Sequence, residues 1–81
     1  MTELWMKSNV AEADEIEKGA RRYIIRDSKY KCTQGDQFTL HPYRDGKQFP
    51  HKVEKRKFRI TVIDTDERIT KGFKIIGFEV M

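Results

Sequence analysis

Two histidines, His41 and His51, and one cysteine, Cys32, are the side chains of this 81-residue chain with the chemistry of a base, a nucleophile or a soft metal ligand. The histidines stand ten residues apart and no Cys/His spacing resembles a zinc site, so no metal is expected. Cys32 follows Lys31 and lies near Lys29, whose charges would favour a thiolate, although a lone cysteine is more often incidental. A single cysteine also excludes an internal disulfide and fits a reducing compartment. The glycines form neither a GxxxxGKS nor a GxGxxG loop. Asp64, Asp66 and Glu67 fall together in an expected loop, where solvation explains them. Nothing in this set requires an enzyme, and no cofactor is expected.

Cations are a stronger signal. The net charge is +4, yet residues 18–59 hold thirteen Lys/Arg against four Asp/Glu, a surplus of nine. Residues 1–17 carry −4 and residues 60–81 carry −1. Such asymmetry points to an anionic partner at one surface, or else to an ordinary lysine-rich surface. GARRYIIRD supplies Arg21, Arg22 and Arg26; the segment beyond it supplies Lys29 and Lys31; HKVEKRKFR supplies Lys52, Lys55, Arg56, Lys57 and Arg59. Together they describe a groove for a phosphate backbone, with Tyr23, Tyr30, Tyr43 or Phe49 available to stack on unpaired bases. In a small domain, Tyr23, Phe38, Phe58, Phe73 and Phe78 are more often core residues than stacking platforms.

These side chains need a scaffold. Eighty-one residues make one domain, 1–81, near the lower limit for a single hydrophobic core. LWM reads as a short strand with Trp5 as its apolar anchor. Ser8 and Asn9 are N-cap candidates for a helix over about residues 9–18, with Val10, Ala13 and Ile16 on one stripe and Gly19 beyond its end. Arg21–Arg26 reads as a strand, with Arg22 and Arg26 on one face and Arg21 on the other. QFTLHPY alternates, with Phe38 and Leu40 on one face, and Pro42 belongs at an edge or bulge. Asp45-Gly46 marks a hairpin turn. FRITVID places Phe58, Ile60 and Val62 on one face, and FKIIGFEV closes the chain. One helix and about five strands describe an α+β fold, a curved sheet or partly closed barrel. No apolar run approaches the about 20 residues of a membrane span. MTELWMKSN has neither a basic nor an apolar leader region, so a cytoplasmic location is expected.

The order acidic helix, GARRYIIRD, GDQFTL, HPYRDGKQF and FRITVID resembles the ASCH branch of the PUA-like domains over about residues 10–81. The nearest pattern is that of the small bacterial N4-acetylcytidine amidohydrolases, whose corresponding segment is matched by Gly19, Ile25, Arg26 and Asp27. The ending GFKIIGF and the small size are also similar to phage and prophage relatives. The resemblance implies a small PUA-like barrel. It also implies that a lysine and a threonine used in the amidohydrolase chemistry are replaced here by Arg21 and Ile24. Arginine keeps its proton at physiological pH, and isoleucine has no hydroxyl, so that chemistry is expected to be lost.

Three expectations follow. The first is a non-catalytic module that binds nucleic acid, RNA foremost, through the basic groove. The second is a small phage-type protein that docks on or inhibits an acidic host protein. The third is a hydrolase of a modified nucleoside such as N4-acetylcytidine.

Overall fold

A computed structural model describes residues 3–65 and 71–81. Most of the expected polar connection between Asp64 and Thr70, including Asp66 and Glu67, lies outside the described residues.

The chain opens with β1 (Glu3–Asn9) and passes directly into α1 (Val10–Glu17). The strand is longer than LWM alone suggested, because it has a partner along its whole length. Asn9 ends the strand and caps the helix, its side-chain oxygen accepting the Glu12 N–H at 2.7 Å. Ala13 and Ile16 form the buried stripe, and Gly19 takes the chain away after its N–H bonds to the Ile16 carbonyl. Then follow β2 (Tyr23–Asp27), β3 (Gln37–Arg44), β4 (Lys47–Gln48), a 3-10 turn (Lys52–Lys55), β5 (Phe58–Asp64) and β6 (Phe73–Val80).

The strands form one mixed six-stranded sheet that is not closed, in the order β1-β3-β5-β6-β2, with β4 attached to β3. β1 and β3 run parallel, and the remaining pairs are antiparallel. The two edges nevertheless come within reach of one side chain. Arg26 on β2 donates to the Lys7 carbonyl on β1 at 2.8 Å, so the sheet curls until its outer strands flank α1. The Asp45-Gly46 turn has φ +52 and +78, the doubly left-handed geometry of a two-residue hairpin. Pro42 lies where β3 has left β5 and is about to meet β4, and its carbonyl accepts the Phe49 N–H at 2.8 Å.

Alternation fixes the core. Met6, Ile24, Phe38, Leu40, Phe58, Ile60, Ile76 and Phe78 point inward, where α1 and Val53 cover them. Phe38, Phe58 and Phe78 meet with ring centroids 5.1–5.4 Å apart. Each buried ring contributes about 1.5–3 kcal/mol by removal from water, and ring–ring geometry adds about 0.5–1.5.

The structure decides the place of Trp5 and corrects two expectations about the core. Trp5 is 51% exposed, because odd-numbered residues of β1 face outward and Met6 takes the inward place. Tyr23 and Phe73 are exposed for the same reason on β2 and β6. Val62 is also exposed: a bulge between Ile60 and Val62 inserts one extra residue in β5, and Ile63 packs against the core in its stead.

Candidate functional site

The acidic start of the chain folds back onto the basic middle. Arg21 Nε lies 2.8 Å from Glu15, and its guanidinium also sits over the Tyr23 ring. Arg26 holds Glu12 at 3.1 and 3.3 Å. Arg56 grips Glu17 through two bonds of 2.7 and 3.0 Å, and that hydrogen bonding holds the Glu17 carboxyl below its ordinary range. Lys57 pairs with Glu3 at 2.8 Å, and Arg59 with Glu79, its cross-strand neighbour, at 3.3 Å. Five of the expected phosphate ligands are thus matched by acids of their own chain. Exposed pairs such as Lys57–Glu3 are worth at most about 1 kcal/mol, so a competing anion can exchange with the acid. Arg26 differs: it lies on the same face of β2 as the fully buried Ile24, and its ion pair is largely withdrawn from water.

Arg22, Lys29, Lys31, Lys52 and Lys55 are exposed and have no ion-pair partner among the described residues. They sit on or beside different elements. Arg22 precedes β2 and Lys29 follows it, about 17 Å apart by strand length. Lys52 and Lys55 ride on the 3-10 turn, which packs against β3 and α1. The cations therefore border the sheet at separate places. Tyr30 is half-buried against the core, and burial, followed by neighbouring Cys32, pushes its hydroxyl pKa up. Its carbonyl accepts a bond from the buried amine of Lys74. Tyr30 is a structural residue here.

Tyr43 stands in a different setting. On the outward face of the β1–β3 pair, Trp5 stacks flat on His41 with centroids 4.2 Å apart and planes 11° from parallel. Tyr43 meets Trp5 edge-on at 6.1 Å, and the Lys7 amine lies 4.8 Å from the Tyr43 ring centre. Thr39 bonds the His41 Nε2 at 2.8 Å and steadies the imidazole. Beside Trp5 a shallow recess of about 320 Å³ is lined by Glu3, Leu4, Thr39, Lys57 and the base of Phe38. Trp5, Lys7 and His41 are not among the nucleic-acid ligands expected from the sequence. The signal was available: they occupy odd positions of two strands whose even positions carry the core.

A second exposed apolar row runs over β2, β6 and β5, where Tyr23 and Val62 flank Gly77 and Ile25 pairs with Ile75 next to Phe73.

His51 and Cys32 are built into the fold. His51 accepts the Val53 N–H at Nδ1, which places its proton on Nε2, 2.7 Å from Asp14; the ring ties the 3-10 turn to α1. Cys32 is half-buried against the core. Among the described residues no three His, Cys, Asp or Glu side chains gather as a metal site. No helix among the described residues is long and apolar enough to cross a membrane. No protein-family model and no curated protein matches the chain.

Proposed function

We propose that this chain is a non-catalytic nucleic-acid-binding module of PUA-like (ASCH) kind, with RNA as its ligand, acting in the cytoplasm. The observation that carries the reading is the charge left over after internal pairing. Acids of the chain engage Arg21, Arg26, Arg56, Lys57 and Arg59, while Arg22, Lys29, Lys31, Lys52 and Lys55 are exposed with no ion-pair partner among the described residues. An open set of this kind suits phosphates spaced along a strand better than one compact anion. The ASCH likeness is supported by a capped acidic helix leading into GARRYIIRD and by a curled sheet around it. The lone cysteine favours the cytoplasm. Hydrolysis of an acetylated nucleoside is disfavoured because Arg21 and Ile24 stand where the resemblance expects a lysine and a threonine, Arg21 held by Glu15 and Ile24 buried.

One observation favours a second reading, an acidic protein as partner, including a host protein met by a phage product. Tyr23, Ile25, Phe73 and Val62 make an apolar strip with Arg21 and Arg22 at its margin. Titration of labelled RNA at increasing salt separates the two. RNA binding falls steeply with salt, whereas docking on the apolar strip holds.

A further inference from the structure

We infer that the outward face of the β1–β3 pair is a stacking site for unpaired bases, so that the ligand is single-stranded nucleic acid and the Trp5 indole is its anchor. The inference rests on the nucleic-acid reading above and adds a site formed by Trp5, His41, Tyr43 and Lys7.

Trp5 lies parallel to the imidazole beneath it, and half of the residue is exposed to solvent. His41 is fixed in turn by Thr39, so the platform exists before any ligand arrives and little side-chain entropy remains to be lost on binding. Stacking on aromatic faces is how proteins hold bases without reading them, at about 1–3 kcal/mol per base.

Charge complementarity selects the occupant. Lys7 stands over Tyr43 at one end of the row. Lys57 closes the other end, held by an exposed Glu3 that a phosphate can displace at little cost. Cations thus lie at both ends of the aromatic row, as a backbone running past stacked bases requires. The recess beside Trp5 falls at the small end of the ~300–1,000 Å³ range of ligand sites. Glu3 and Lys57 line its wall, so a Glu3 released from Lys57 by a phosphate leaves an acceptor for a base edge. A duplex keeps its base faces inside the stack and gives this platform nothing to hold.

Trp5 is the single tryptophan of the chain, so its fluorescence reports on the site directly. The test titrates the full-length protein with short oligouridylate and oligoadenylate RNAs and with an RNA duplex of equal length. The Trp5→Ala and Trp5→Phe variants are measured alongside, their folding checked by thermal melting. The single strands are expected to quench Trp5. W5A weakens their binding about tenfold or more, and W5F by less. Binding without quenching that W5A leaves unchanged, or a preference for the duplex, overturns the platform while the nucleic-acid reading stands. Absence of binding to any of these RNAs at low salt overturns both.

Discussion

Arg26 and Glu12 meet across the gap between the two edges of the sheet, Nη2 3.1 Å from Oε1 and Nη1 3.3 Å from Oε2. The same guanidinium donates to the Lys7 carbonyl on β1 and to the Ile25 carbonyl on β2. One arginine therefore joins both edge strands to the helix that sits between them. It also satisfies carbonyls that would otherwise be open to strand pairing with another molecule.

Removing either partner leaves a partly buried charge without its counterpart. Glu12→Ala is expected to cost about 2–3 kcal/mol in urea denaturation. Arg26→Met keeps the apolar stem and is expected to cost less than Arg26→Ala. RNA affinity of the folded Arg26→Met protein stays near wild type, because this guanidinium is occupied inside the fold. A loss equal to that of Arg22→Ala would assign Arg26 to the ligand.

The bulge in β5 leads to a second expectation. A Cβ on Gly77 would stand 2.7 Å from Val62 Cγ1, nearer than side chains tolerate. Gly77→Ala is expected to destabilise by about 1–3 kcal/mol. Val62→Ala in the same chain removes the obstructing methyl and restores most of that loss. Denaturant midpoints of the two variants and the wild type decide it; an unimproved double variant would mean that the strain lies elsewhere.

Acid pH tests the Glu17–Arg56 pair. The Arg56 hydrogen bonds depress the Glu17 carboxyl below its ordinary 4.5 in the folded protein. The folded state thus binds that proton less readily than the unfolded chain. The associated stability is present above pH 4.5 and disappears as pH falls through the depressed value. The difference in melting temperature between wild type and Glu17→Gln should be constant near neutrality and shrink below that point. A difference that grows in acid would contradict the pairing.

Much of this architecture can be read from local pattern. Asn9 before Val10, Ala13 and Ile16 announces a capped helix, and Asp45-Gly46 between two strands announces a hairpin. The alternation of Phe38, Leu40 and Pro42 gives the inward face of β3 directly. Non-local facts escape such reading. The parallel pairing of β1 with β3 sets which side of LWMKSN is outside, and Trp5 follows from that pairing rather than from its hydrophobicity. FRITVID looks like unbroken alternation, but β5 carries a bulge whose Val62 lies against Gly77 of the neighbouring strand. The basic surplus was visible as a count, whereas its cancellation was not. Glu3 reaches Lys57, and Glu17 reaches Arg56, only once the chain has folded.

The central claim is that the cations left unpaired bind a phosphate backbone. Its most direct test is the salt dependence of RNA binding, for the wild type and for a variant with Arg22, Lys29, Lys31, Lys52 and Lys55 replaced by alanine. The wild type is expected to lose about two orders of magnitude in affinity between about 50 and 200 mM salt. The variant should bind weakly and with a flatter slope, by about 0.7 for each contact removed. Failure of the wild type to bind RNA at low salt, or a variant with unchanged affinity and slope, would contradict the account.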